Sequence, residues 1–430
     1  MDRPPHPIAA PARRAAALWL AAGLVACGGG SAAPGGVDSE AEWVRSVMTQ
    51  AYLYAERMPA ADLPGTADAA QALEALRVNP PDRFSYVERR DRYDAFFDTG
   101  RSVGLGIALR VDGNRLMLRV VQPDAPAGRA GLLRGDRIAS IDGIDAGELI
   151  AAGTVSDALG PAEVGRLVRL VVERDGVLRD AVLQKADYAI SPVLATRVID
   201  RPAGRIGYVA LYTFSEPTLA AWRDALASLQ AAGARNIVVD LRDNGGGRLN
   251  VAAAVAGSLA PPTAVGQTFV ELRHSARRAA DDRAIPLPST AQGGAVERVA
   301  WLVSDATCSA SEALIAGLRP YRDDPVIGTP SCGKPVGAEP RTRGELVLSA
   351  ITFASRNRDG LTDWFDGLAP TCTVADEPYR PFGDEADPRL AEAIHRLETG
   401  RCLAVATKSA SDADRRIPTA RGLTAETGLH

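Results

Sequence analysis

Residues 298–331 read RVAWLVSDATCSASEALIAGLRPYRDDPVIGTPS. RVAWLV is a short, unbroken apolar run of the kind that forms a strand buried on both faces. TCSASE at 307–312 has the form of a helix start, with Ser309 at the N-cap and Glu312 three positions on. The helix runs on through ALIAGLRP, and PVIGTPS is a second strand-like run. Strand, helix and strand in this order predict an α/β layer with parallel strands. A helix over 309–320 descends about 18 Å at 1.5 Å per residue, and a strand over 325–331 climbs back about 20 Å at roughly 3.3 Å per residue. Lys334 therefore returns to the level of Ser309, at the C-terminal edge of the strands, where α/β sheets place their sites.

The same alternation extends on both sides, over residues 195–400. GRIGYVALYTF reads as a strand and EPTLAAWRDALASLQAAG as an amphipathic helix closed by Gly233. NIVVDLR, 236–242, reads as a buried strand that runs into DNGGG. A tight loop would explain three glycines. A phosphate loop would not, because no Gly-Lys-Ser/Thr follows. Glycines after a buried strand also let backbone N–H groups approach a ligand closely.

Lys334 stands out by composition. The chain has 49 basic residues, of which only Lys185, Lys334 and Lys408 are lysines. Arginine stays protonated, whereas a desolvated lysine can give up its proton and act as a base. Capping alone accounts for Ser309, and an ordinary loop lysine would account for Lys334. Together, a serine, a potential base and a glycine loop at one sheet edge are the parts of acyl transfer. With His6 and His430 set aside, only His274 and His395 remain for a Ser-His-Asp arrangement, and neither sits in a motif.

At the N-terminus, Arg13 and Arg14 precede the apolar run AAALWLAAGLVA, too short to span a bilayer as a mature helix. It ends in LVAC, which resembles a bacterial lipobox; in that resemblance residues 1–27 are a lipoprotein signal peptide and Cys27 becomes acylated. Gly28 follows Cys27, which favours the outer membrane, and GGGSAAPGGVD, 28–38, reads as a flexible tether. The expected location is the bacterial cell envelope, lipid-anchored and facing the periplasm. Cys308, Cys332, Cys372 and Cys402 allow two disulfides in three pairings, or free thiols. A net charge of -4 and a pI near 5.8 give no reason to expect nucleic acid as a partner. No His/Cys cluster has ligand spacing, so no metal or other cofactor is expected.

Residues 39–97 repeat apolar positions at helical spacing and predict a small helical N-terminal domain. Residues 98–188 change to short β-like runs, among them VGLGIALRV, LMLRVV and RLVRLVVERDG. Between them PDAPAGRAGLLRGD, 123–136, resembles the PDZ pattern. In that resemblance Gly104, Leu105, Gly106 and Ile107 form the loop that receives a peptide's terminal carboxylate, and the peptide adds to the sheet edge as a strand. Residues beyond Cys402 read as a polar, disordered tail, 403–430.

VVDLRDNGGG, TCSASE and CGKP, in this order and spacing, resemble the C-terminal processing peptidases, or tail-specific proteases. The likeness covers roughly residues 40–400 and is nearest to lipoprotein-type members, which share a segment like DGLAPTC at 366–372. It implies a multidomain α/β protein: a ClpP/crotonase-like protease core, 195–402, preceded by a PDZ domain and the helical domain. It further implies a Ser–Lys endopeptidase acting through an acyl-enzyme on proteins with free C-termini. Ser309 would be the nucleophile and Lys334 the general base. The oxyanion hole would come from the N–H of Ala310 and that of Gly246 or Gly247. Two positions depart from the family pattern. Ala338 stands where a Gln four residues after the lysine is usual, and Cys308 where an Ala is usual. Disulfides at Cys308 and Cys332 would brace the site. The other reading, favoured by Ala338 alone, is a non-catalytic PDZ lipoprotein scaffold that binds C-terminal peptides.

Overall fold

The structure, a computed structural model, describes residues 39–290, 293–376, 379–403, 414–415 and 430. Cys27 and the tether lie outside the described residues, as does most of the tail.

The alternation read from residues 195–400 builds a six-stranded sheet. Its order is Val193–Ile199, Ile206–Leu211, Asn236–Asp240, Arg298–Val303, Val326–Gly328 and Cys372–Thr373. The first pair is antiparallel and the rest are parallel. Successive residues face opposite layers, as the pleat requires. Val299, Trp301 and Val303 enter one core, with Trp222, Val255 and Leu314 from the helices Thr218–Ala231, Leu249–Leu259 and Ala310–Leu318. Ala300 and Leu302 enter the other, under Leu390, Ile394 and Leu397 of the helix Pro388–Thr399. Burial on both faces explains why these strands read as unbroken apolar runs.

A second, antiparallel sheet is ordered Arg283–Pro286, Thr268–His274, Ile351–Arg356 and Val336–Ala338, and its Phe269, Leu272 and Phe353 join the first core. The expected helical segment 39–97 holds two helices started by capping boxes, Glu40–Ala51 and Ala69–Leu76, with shorter helical turns at Ala55–Arg57, Arg90–Asp94 and Ala95–Thr99. It is not helical throughout. Tyr86–Arg89 is a strand paired with Leu346–Ser349, a partner more than 250 residues away that local periodicity cannot reveal. The two helices share a core with Val336, Leu348 and Ile351, so this region packs directly on the strands that follow Lys334.

Residues 101–189 form a compact β unit with its own core, including Leu105, Ile107, Leu118, Ile138 and Leu170. The run VGLGIALRV divides at the glycines. Arg101–Gly104 pairs with Ala186–Ala189, whereas Ile107–Asp112 pairs with Arg115–Val121. Phe96, Phe97, Val120, Tyr188 and Tyr212 pack this unit against the α/β core.

Candidate active site

Ser309 sits between the strand Arg298–Val303 and the helix Ala310–Leu318, with φ 58° and ψ -115°. A non-glycine residue in this region is strained by an order of 1–3 kcal/mol and needs surroundings that hold it there. They are on hand. Thr307 Oγ1 donates to Leu241 O at 2.7 Å, Cys308 N–H to Asn244 O at 3.1 Å, and Ser311 Oγ to Asn244 O at 3.0 Å. The turn before Ser309 is thus fastened to the end of the neighbouring strand, where the DNGGG loop begins.

Glu312 supplies the other restraint. Its Oε2 accepts the N–H of Ser309 at 2.8 Å and that of Lys334 at 2.9 Å. Its Oε1 accepts the Gly333 N–H at 2.8 Å and the Ser331 hydroxyl at 2.5 Å. Burial pushes this carboxyl's pKa up, against the pull of those donors. A disulfide joins Cys308 to Cys332, and Cys332 N–H donates to Thr307 O at 3.0 Å. The serine turn and the lysine loop are therefore tied together by a carboxylate and by a covalent bond. Cys308, Glu312 and Cys332 have the closeness of a metal cluster, but the sulfurs are joined and the carboxylate is occupied by donors. The second disulfide is Cys372–Cys402.

Ser309, Ala310, Lys334 and Gly247 all line one cavity of about 340 Å³. Lys334 is half-buried, with Nζ 5.6 Å from the centroid of the Phe84 ring. Ala338 lines the same cavity on a strand edge. Glu339, the acid nearest Lys334 in sequence, is taken by Arg278 at 2.8 Å and Arg283 at 3.2 Å. His274 is buried behind it, with Nδ1 3.3 Å from Asp282 and Nε2 3.6 Å from Glu339. It belongs to that charge cluster and does not line the cavity.

The two glycine N–H candidates separate. Gly246 N–H donates to Asn244 Oδ1 at 2.9 Å, so it is not offered to a ligand. The sequence reading, which kept Gly246 and Gly247 level, lacked the turn that Asn244 makes with its own backbone. Gly247 forms a parallel bridge with Phe214 through the flanking groups, Gly246 O and Arg248 N, so its own N–H takes no part in it. Gly246 still needs to be glycine. With φ 108°, a Cβ there would lie 2.9 Å from Ser309 Cβ and 3.1 Å from Ala310 N. Ala310 opens its helix, where the first N–H groups have no partner within the helix.

Sequence reasoning missed the arginines of the β unit that reach this edge. Arg134 pairs with Asp243 at 3.0 Å and with Asp376 at 3.2 Å, and Arg119 lies 3.4 Å from Asp243. Arg110 pairs with Asp305 at 2.8 Å. Asp243 immediately precedes Asn244, and Asp305 lies four residues before Ser309. The GLLRGD run carried one such signal, but nothing in it marked Arg134 as more than a turn residue.

Residues 205–374 match the pattern of peptidase family S41. The chain belongs to that family. Its residues 103–184 match the PDZ domain and 39–86 the peptidase S41 N-terminal domain. This S41 peptidase is 26% identical over 350 residues to a carboxyl-terminal-processing protease of Synechocystis sp., covering 79% of each chain. It is 28% identical over 275 residues to a carboxy-terminal-processing protease of Bartonella bacilliformis, covering 61% of this chain and 59% of that one. Among solved structures, its fold resembles an S41 protease from Bacteroides fragilis, with TM-score 0.67 at 22% identity over 84% of this chain and 97% of the other. The photosystem II D1 C-terminal processing protease gives TM-score 0.51 at 22% identity, over 82% and 98%. The multidomain α/β architecture and the serine-type peptidase class are those the residues led us to expect.

Proposed function

We propose that this peptidase cleaves proteins that its PDZ unit captures by their free C-termini, with Ser309 as nucleophile and Lys334 as general base. One observation carries the proposal: the strained Ser309, Lys334, Ala310 and Gly247 line one cavity. The Lys334 amine takes the Ser309 hydroxyl proton as Oγ attacks the scissile carbonyl carbon. The oxyanion is received by the Ala310 and Gly247 N–H groups. Collapse expels the amine, which recovers the proton from Lys334. Water, deprotonated in turn by Lys334, then attacks the acyl carbon, and Lys334 returns that proton to Ser309 Oγ as the acyl group leaves.

The test is turnover of a protein substrate with an unstructured tail. Ser309→Ala should abolish cleavage and labelling by a serine-directed acylating probe. Lys334→Arg keeps the charge but cannot accept the proton, so turnover should fall by about 10²–10⁴-fold in a folded protein. An Arg variant with wild-type turnover would remove Lys334 from the mechanism.

The cell envelope belongs to the same proposal. Supporting it are the LVAC sequence before Cys27 and two disulfides, which persist in oxidising compartments. Cys27→Ser should move the protein from the membrane fraction to the soluble one. Unchanged fractionation would overturn the anchor.

A further inference from the structure

The carboxylate loop of the PDZ unit holds a residue of this same chain. The N–H groups of Leu105 and Gly106 each donate to the main-chain oxygen of His430 at 3.0 Å, and that of Ile107 at 3.4 Å. His430 N–H donates back to Ile107 O at 2.8 Å. The fit leaves no room for a side chain at Gly104, where a Cβ would lie 2.8 Å from His430 C. Farther along the same strand, Asp414 and Arg415 pair antiparallel with Asp112 and Val111. The edge that an incoming peptide would extend is therefore covered at both ends. Three converging N–H groups and an added strand are the contacts such a loop and edge make with a bound peptide.

We propose that the chain's own C-terminal segment, through His430 and the strand Asp414–Arg415, is a resident ligand of the PDZ unit and competes with substrate C-termini for it. The proposal rests on the reading that this unit captures free C-termini. It goes further, because it makes the resting peptidase self-occupied and sets the affinity a substrate tail must exceed. A tethered ligand acts at an effective concentration of order millimolar. If the tethered segment itself binds with a dissociation constant of about 10–100 μM, it weakens the apparent binding of any substrate peptide about ten- to a hundred-fold.

The occupant also carries a titratable group. His430 is half-buried, and burial first, then the positive charges of Lys185 and Arg119, push its imidazole from 6.5 down to about 4. Lys185 is anchored by its ammonium to Gly160 O at 2.7 Å and Pro161 O at 2.8 Å, and Arg119 lies beside Asp243. Both cations therefore stay close to the ring. The docked form is the neutral one. Docking is at full strength above the ordinary value of 6.5 and weakens by about tenfold per pH unit as pH falls toward 4.

The test compares three proteins carrying Ser309→Ala to prevent turnover: the full chain, a chain ending at Leu403, and the full chain with two glycines appended after His430. The probe is a fluorescent peptide with a free, apolar C-terminus, with its amidated twin as control. The truncated and extended proteins should bind the free peptide about ten- to a hundred-fold more tightly than the full chain. Between pH 6.5 and 5 the full chain should gain affinity while the truncated one does not. Equal affinities for full and truncated chains would overturn the resident ligand. A pH response shared by both would remove His430 from it. If the truncated chain does not prefer the free peptide to its amidated twin, carboxylate capture itself fails, and this inference falls with it.

Discussion

Glu312 is where the serine turn and the lysine loop meet, and its chemistry can be tested at a single residue. Glu312→Gln preserves shape but turns an NH2 group toward main-chain N–H donors, leaving at least one buried donor without an acceptor. That costs about 1–3 kcal/mol of stability. A misplacement of order 1 Å between Ser309 and Lys334 would lower kcat by up to ~10²-fold. The Cys308–Cys332 disulfide ties the same two segments. The combined variant Glu312→Gln with Cys308→Ser/Cys332→Ser should therefore lose more than the sum of the losses of Glu312→Gln and of the double cysteine change alone, as measured by kcat and by the labelling rate of Ser309. Additive losses would show that the two ties act on different things. At this scale the sequence was informative about residue type and silent about partners. TCSASE announced a capping box, and Glu312 does accept the Ser309 N–H. Its other donors, Ser331, Gly333 and Lys334, come from about twenty residues downstream, and no local pattern encodes them. Gly246 and Gly247 are alike in sequence, and only the Asn244 side chain tells them apart.

At the scale of elements, legibility followed burial. Strands buried on both faces, such as Arg298–Val303, are apolar throughout, and Gly233 (φ 84°) follows the helix Thr218–Ala231 where the residues placed its end. Short elements defined by their partners were harder. The strand expected over 325–331 spans only Val326–Gly328: Pro330 has no N–H for a ladder, and beyond it the Gly333 and Lys334 N–H groups turn to Glu312. Tyr86–Arg89 lay hidden in a segment of helical periodicity, since its partner strand is remote. The cysteines allowed three pairings, and only the return of the chain to the Ser309 level selects Cys308–Cys332, leaving Cys372–Cys402. Strand addition at the PDZ edge was expected of a substrate peptide; Asp414–Arg415 now lies there.

Across the whole molecule, the domains are joined by charges that no single motif discloses. Arg134 of the PDZ unit and Arg242 of the core both pair with Asp376, and Arg242 also meets Asp240 and Asp387 at 2.6 and 2.7 Å. All these side chains are buried, so each charge depends on its neighbours. Burial alone would push the Asp376 carboxyl up, but Arg389, Arg134 and Arg242 outweigh it and hold the pKa well below the usual carboxylate range. Asp243, facing Arg134 and Arg119, is instead pushed up by burial. Asp376 is therefore the acid whose charge the fold exploits. Its folded pKa is depressed, so its contribution is fully present above the unfolded value of 3.8 and is lost as pH falls below it toward the folded value. Asp376→Asn should destabilise the protein by about 3–5 kcal/mol at pH 7, because buried guanidiniums lose a shared counter-charge. Urea unfolding should show that gap unchanged from pH 7 to about pH 5 and narrowing below pH 4, by up to ~1.4 kcal/mol per pH unit. Cleavage should suffer as well, since Arg134 also holds Asp243 at the start of the glycine loop. A variant as stable as wild type at pH 7, or a gap that widens in acid, would show that the arginines are compensated elsewhere and that Asp376 does not join the PDZ unit to the core.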